Sequence, residues 1–309
     1  MDVLRTPEER FARLPDHPFA PKYVEVPGPD GERLRMHFVD EGPRDAPVVL
    51  MLHGEPTWSF LYRKMIPVLV GAGLRAVAPD HIGFGRSDKL ADRTAYSYAR
   101  YVDWMLAFLS ALDLRDVTLV CQDWGGPIGL STLAAGPERF ARVVAANTIL
   151  PTVDPELTGG ILEWRSDALL DWILASQRMP HFSAGAIVAG VCARPVAPEV
   201  IAAYDAPFPD ERHLGAARHF PTLIPITPGD PGAVRNRATW RVLERFERPF
   251  LTAYSDGDPA TRGWETIFQR RVPGARRQPH TTIADAGHFL QEDAGPELAK
   301  VVVDFVGRR

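Results

Sequence analysis

The sequence predicts an α/β fold, a mostly parallel central sheet flanked by helices, with an inserted helical cap. Three observations predict it. Short, fully apolar runs bounded by Gly, Pro or Asp recur along the chain; helical patterns lie between them; and this rhythm pauses over residues 151–235 before it resumes. Strands that read as continuous apolar runs are buried on both faces, as in parallel sheets covered by helices.

Residues 23–41 read as two short strands around a turn, with Gly28 and Gly31 as punctuation. Buried strands follow at 48–52, 76–78, 117–120 and 143–146, with a helical pattern over 101–112. The segment 151–235 has helix-like stretches at 162–176 and 197–204, many prolines, and no clear buried strand. Strands return at 249–254 and 281–284, and a last helix is expected over 296–306. The expected organisation is a core domain of residues 1–150 and 236–309 carrying a helical cap domain of residues 151–235. A two-domain chain split near residue 150 is the rival arrangement.

Composition narrows the function. The chain has 309 residues and a formal net charge of −4, with both signs scattered along it. That disfavours nucleic acid or an anionic membrane as the main partner and suits a small uncharged substrate. The two cysteines, Cys121 and Cys192, form no CxxC pair and no disulfide framework. The N-terminus lacks an apolar signal region, and no run approaches the ~20 apolar residues that span a bilayer. A reduced, cytoplasmic, monomeric protein is the expectation. No HExxH, Cys/His cluster or phosphate-binding glycine loop occurs, so neither a metal nor an organic cofactor is expected.

The chemistry-bearing segment is Val120-Cys121-Gln122-Asp123-Trp124-Gly125-Gly126. A strand runs into a tight turn and a helix begins at the glycines, which is the geometry of the nucleophile elbow G-x-S-x-G. Asp123 stands where the serine would be, and Cys121 where the first glycine would be. Asp is also a preferred helix N-cap, so capping alone is the plainer reading of Asp123. Two further loops argue against it. His53-Gly54-Glu55-Pro56 follows a buried strand, where a backbone N–H can help form an oxyanion hole. His288 in Ala284-Asp285-Ala286-Gly287-His288 lies between the last strand and the last helix. All three loops fall at the carboxyl ends of strands, where open α/β sheets bind ligands. A carboxylate should orient the imidazole. The loop beginning at Asn147 has no acid, whereas Ser255-Asp256-Gly257-Asp258-Pro259 has two. Asp258 is chosen because it precedes proline, and Asp256 is the alternative.

An aspartate, with an ordinary pKa of ~3.9, is already an anion at neutral pH. It can displace a leaving group from a saturated carbon to give an ester, which water cleaves with histidine as general base. The N–H groups of Glu55 and Trp124 would hold the resulting oxyanion. Two leaving groups compete. A halide needs N–H donors; an epoxide oxygen wants an acidic hydroxyl from the cap. Only Tyr204 of the seven tyrosines lies in the cap, whereas Trp164 and Trp172 lie there and Trp124 follows the nucleophile. Each indole combines one donor with an apolar body, although core packing is the commoner role of tryptophan. Phe208, Phe220, Pro221 and Ile224 are candidate pocket residues, with plain cap core as the alternative.

The runs Leu52-His53-Gly54-Glu55-Pro56-Thr57-Trp58, Val120-Cys121-Gln122-Asp123-Trp124-Gly125-Gly126 and Ile283-Ala284-Asp285-Ala286-Gly287-His288-Phe289 resemble the haloalkane dehalogenase family. So do residues 79–89 and 204–210. The resemblance covers the chain from about residue 5 to its end. It implies the α/β-hydrolase fold, with Asp123 as nucleophile, His288 as base, Asp258 as acid, and Trp124 with one cap tryptophan as halide ligands. The family's W-x-x-x-S-Q pattern falls on Trp172, which is therefore preferred to Trp164. Pro127 occupies a pocket position that some members fill with Phe. The resemblance further implies a small apolar halogenated substrate, with water as co-substrate and halide ion as product. An epoxide hydrolase using the same triad is the alternative activity.

Overall fold

The computed structural model describes residues 1–154 and 167–308. Among them the strands are β1 (Val3–Leu4), β2 (Lys22–Pro27), β3 (Arg33–Glu41), β4 (Val48–Leu52), β5 (Arg75–Pro79), β6 (Lys89–Leu90), β7 (Val117–Cys121), β8 (Phe140–Ala145), β9 (Phe250–Ser255) and β10 (Thr281–Ile283). Eight of them form one sheet in the order β10-β9-β8-β7-β4-β5-β3-β2. β3 runs antiparallel to β2 and β5, and the remaining pairings are parallel. β1 and β6 make a separate antiparallel ribbon.

The helices are α1 (Ile66–Gly71), α2 (Tyr98–Ala111), α3 (Gly125–Ala135), α4 (Asp167–Arg178), α5 (Ala184–Val191), α6 (Pro198–Asp205), α7 (Gly215–His219), α8 (Pro231–Leu243), α9 (Trp264–Arg271) and α10 (Leu290–Gly307). The strand period of two divides the core into layers. Leu50, Leu52, Leu119 and Cys121 join Phe108 of α2 and Ile128 of α3 on one face. Val49, Met51 and Val120 join Leu69 of α1 and Leu298 of α10 on the other. α10 begins six residues earlier than its sequence pattern predicts. It breaks at Ala294 (φ −141°, ψ 40°), two residues before Pro296, where a regular helix would clash with the proline ring.

Between β8 and β9 the described residues form helices and no strand. The boundary expected between residues 235 and 236 falls inside α8, which packs on α3 of the core. The Ser131 and Thr239 hydroxyls lie 2.8 Å apart, and Trp240 donates to the Leu150 carbonyl at 2.9 Å. The helical pattern expected over 162–176 lies partly outside the described residues; its remainder is α4. None of the described helices is long and apolar enough to cross a membrane.

One buried charged network ties the helical segment to the core. Arg63 grips Glu292, at the start of α10, through both terminal nitrogens (2.6 and 2.8 Å). Lys64 and the Tyr204 hydroxyl of α6 donate to the same carboxylate at 2.7 Å. Burial opposes the charge of Glu292, but these donors outweigh it and hold its pKa down to about 2. Glu292→Ala leaves the buried Arg63 without its carboxylate and is expected to cost about 3–5 kcal/mol. Tyr204→Phe is expected to cost about 1–3 kcal/mol, the value of one hydrogen bond to a charged group. Urea unfolding of the two variants measures both losses.

Candidate active site

The groups singled out in the sequence converge because their strands end at one edge of the sheet. Glu55 follows β4, Asp123 follows β7, Asp258 follows β9 and His288 follows β10. β7 ends at Cys121 and α3 starts at Gly125, so the chain reverses within three residues. Asp123 takes up the turn in the left-handed region, with φ 51°, a conformation that costs a non-glycine residue of order 1–3 kcal/mol. Its N–H donates to the Asn147 carbonyl at 2.9 Å. Its own carbonyl accepts from the Thr148 hydroxyl at 2.6 Å. A Cβ on Gly125 would lie 2.0 Å from the Leu52 carbonyl oxygen, and one on Gly54 would lie 2.0 Å from Asp123 Oδ1. Both positions require glycine: at Gly125 the elbow touches the β4 backbone, and at Gly54 the Asp123 side chain occupies the space a Cβ would fill.

The Glu55 N–H donates to Asp123 Oδ1 at 2.8 Å. Asp123 Oδ2 lies 3.4 Å from His288 Nε2. On the far side of the ring, His288 Nδ1 is 3.1 Å from Asp258 Oδ2. Asp258 is 1% exposed, and the Ala260 N–H (2.8 Å) and the Thr261 hydroxyl also donate to it. Asp256, the alternative acid, is exposed and instead accepts the backbone N–H of Asp285 at 3.2 Å. Burial by itself would depress the His288 imidazole, yet Asp258 and then Asp123 outweigh it and raise its pKa to about 10. The Asp258 carboxyl is held below the usual carboxylate range, because the His288 charge and its hydrogen bonds outweigh its burial.

Asp123, His288, Asp258, Trp124, Trp172 and Glu55 share one cavity of about 350 Å3. Pro127 and Ile224 also line it. Phe208, Phe220 and Pro221 do not. Phe220 is fully buried behind Trp124, with ring centroids 5.0 Å apart, and Phe208 packs on Phe84 at 6.3 Å. Phe208 and Phe220 thus face a layer of side chains beyond the cavity wall, a distinction that an apolar pattern does not carry. Trp164 lies outside the described residues.

Other contributors escaped the sequence reading. The Gln122 amide nitrogen lies 3.2 Å from His288 Nε2 and donates to the His288 carbonyl at 3.1 Å. Asn147 Nδ2 donates to the carbonyls of Gly287 and His288, each at 3.0 Å. Gln122 was conspicuous only as the neighbour of the nucleophile, and Asn147 only as a non-acid where an acid was sought. The Glu55 side chain is itself buried, at 4% exposed, which the sequence does not signal beside the role of its N–H. Burial and the adjacent Asp123 charge push the Glu55 carboxyl well above the usual range; the His288 charge and the Trp172 indole N–H oppose this without overcoming it.

Glu55 thus binds its proton more tightly folded than unfolded. Stability therefore falls as pH rises above the unfolded glutamate pKa of ~4.3, until the higher folded pKa is passed. Glu55→Gln keeps the backbone N–H and removes this titration. Urea unfolding between pH 5 and pH 8 is expected to show a steeper loss of stability in the wild type than in the variant; parallel losses would contradict a neutral Glu55.

A family profile for the alpha/beta hydrolase fold matches residues 47–184. A haloalkane dehalogenase of Psychrobacter cryohalolentis is 51% identical, with 99% of this chain and 98% of that protein covered. One from Mycobacterium marinum is 46% identical, with 99% and 100% covered. The solved tetrameric structure of a haloalkane dehalogenase from Paraglaciecola agarilytica superposes with a TM-score of 0.86 at 34% identity, covering 97% of each chain. Likeness of this extent over nearly the whole length establishes that the chain belongs to the haloalkane dehalogenase family of α/β hydrolases.

Proposed function

We propose that the protein hydrolyses haloalkanes through an alkyl ester on Asp123. The observation that carries this reading is the placement of the Asp123 carboxylate at a strained corner, lining one apolar cavity with an imidazole and two indoles. A carboxylate oxygen attacks the carbon bearing the halogen. The C–O bond forms as the C–X bond breaks, and the electron pair leaves with the halide. The indole N–H groups of Trp124 and Trp172 receive that anion. In the halide-free site the Trp172 N–H is directed at the Glu55 carboxyl, so halide competes with a neutral acid for this donor.

Ester formation also prepares the base. With two carboxylates beside it, His288 is held protonated up to about pH 10. Alkylation neutralises Asp123 and deletes one of these partners. Burial then opposes Asp258 alone, and the imidazole pKa falls towards neutrality. Neutral His288 accepts a proton from water, which attacks Cγ of the ester. The N–H groups of Glu55 and Trp124 hold the oxyanion. Collapse breaks the Cγ–O bond to the alkyl group, the alcohol takes up the proton, and the carboxylate is restored. The sum is haloalkane plus water giving alcohol, halide and a proton.

The epoxide alternative needs a hydroxyl free to protonate an alkoxide. Tyr204 is fully buried and commits its hydroxyl to Glu292 at 2.7 Å. Tyr98 lines the cavity, but its hydroxyl is engaged by the Pro127 carbonyl (2.7 Å), Ser131 (2.7 Å) and Asn236 (2.8 Å). For assembly, the sequence suggests a monomer whereas a relative is tetrameric, and light scattering in solution decides between them.

His288→Ala incubated with 1-bromobutane is expected to accumulate a stable butyl adduct on Asp123, located by peptide mass spectrometry. Unmodified protein after long incubation would overturn the ester. Trp124→Phe and Trp172→Phe are each expected to weaken bromide binding by about 10-fold, the scale of one hydrogen bond to an ion. Fluorescence quenching titrations measure it, and unchanged affinity in both variants would remove the indoles from the halide site.

A further inference from the structure

The backbone of Gly287 and His288 is tied down on two sides by different parts of the molecule. Their carbonyls accept from the core side chains Asn147 and Gln122. Their N–H groups point the other way. The His288 N–H donates to the Val191 carbonyl, at the end of α5, at 3.0 Å. The Gly287 N–H donates to Asp293 Oδ2 at 2.8 Å. The same oxygen accepts the Ala193 N–H at 2.8 Å, and Oδ1 accepts the Arg194 N–H at 3.0 Å. The two segments touch backbone to backbone, since a Cβ on Gly287 would lie 2.2 Å from the Val191 carbonyl oxygen. Ile187 and Val191 of α5 line the same cavity as His288.

From this geometry we infer that Asp293 is a positioning residue for the general base: its carboxylate staples residues 191–194 to the loop carrying His288, so that the helical segment over the cavity forms part of the mounting of the imidazole. Asp293 is 6% exposed, and three backbone N–H groups from two separate segments converge on it. Removing it frees the Gly287 N–H and unties residues 193 and 194. On the N–H side the loop then keeps only the His288 bond to a Val191 carbonyl no longer anchored, while Asn147 and Gln122 still hold the carbonyl side. The ring then keeps its place in sequence and loses its aim. Alkylation of Asp123 does not use the imidazole as a base, whereas hydrolysis does. The staple therefore acts on the second half-reaction. The inference rests on the alkyl-ester reading of the preceding section.

Asp293→Ala deletes all three acceptor contacts. Asp293→Asn keeps the shape but leaves one side of the clamp facing an amide nitrogen. Gly287→Ala pushes the two segments apart with the carboxylate intact. Each is to be followed in single turnovers with 1-bromobutane, recording halide release and butanol formation separately and the thermal midpoint alongside. Halide release is expected to stay near the wild-type rate, while ester hydrolysis slows about 10- to 100-fold, as for a reacting group displaced by around an ångström. Butylated Asp123 then accumulates, as in His288→Ala. A folded variant in which both steps keep their wild-type ratio, whatever its thermal midpoint, would overturn the positioning role. Should Asp293→Ala not fold, the Asn and Gly287→Ala variants read the same ratio. Absence of the adduct in His288→Ala itself would instead overturn the ester, and so separates the two failures.

Discussion

A carboxylate pinned at a left-handed corner is the constraint from which the rest of the site follows. Asp123 cannot relax to an ordinary turn without moving β7 against α3, and the glycines at 54 and 125 exist because the backbone there has no room for a Cβ. One carboxylate oxygen is fixed by the Glu55 N–H and the other faces the imidazole at 3.4 Å. The side chain is thus aimed before substrate arrives, and no reorganisation is required at the moment of attack.

Asp123, Asp258, Glu55 and His288 all line this cavity. They coexist because their environments set them apart. Asp258 is supplied with donors and is held below the usual carboxylate range. Glu55 is buried beside Asp123 and is pushed well above that range despite the His288 charge and the Trp172 indole N–H, and His288 carries its positive charge between the two aspartates. Such an arrangement is tuned to lose one charge. When Asp123 becomes an ester, the imidazole is the group whose balance changes most, and it changes in the direction a base requires. The clamp formed by Asp293 and residues 191–194 adds a mechanical side to this electrostatic one, since it holds the backbone of the group that must respond.

Much of the fold was legible in the sequence, because strands buried on both faces leave continuous apolar runs and helices between them leave a different period. The elbow was legible because glycine spacing at a strand–helix corner reflects hard-sphere limits. The choice between Asp256 and Asp258 rested on a neighbouring proline, and the distance of 3.1 Å to His288 places Asp258 against the ring. Other features were not readable. Phe208 and Phe220 share the apolar character of true cavity residues and differ in which layer they face, and Pro221 likewise lies off the cavity wall. Gln122 and Asn147 act through backbone atoms of a loop more than a hundred residues away in sequence, and Asp293 joins that loop to Ala193 and Arg194, 100 and 99 residues before it, contacts that no local pattern records. The limit expected for the helical insertion falls within α8, where the turn at residues 226–232, rich in Pro and Gly, reads as a boundary and the helix after it packs on the core.

The central claim is that the oxygen delivered by water enters the protein before it enters the product. A single turnover of excess enzyme with 1-bromobutane in 18O-labelled water tests it directly. The account predicts that the first butanol formed is unlabelled and that the label resides in the side-chain carboxylate of Asp123. Labelled butanol in that first turnover, with Asp123 unlabelled, would mean that water attacks the substrate carbon itself, and would contradict the account.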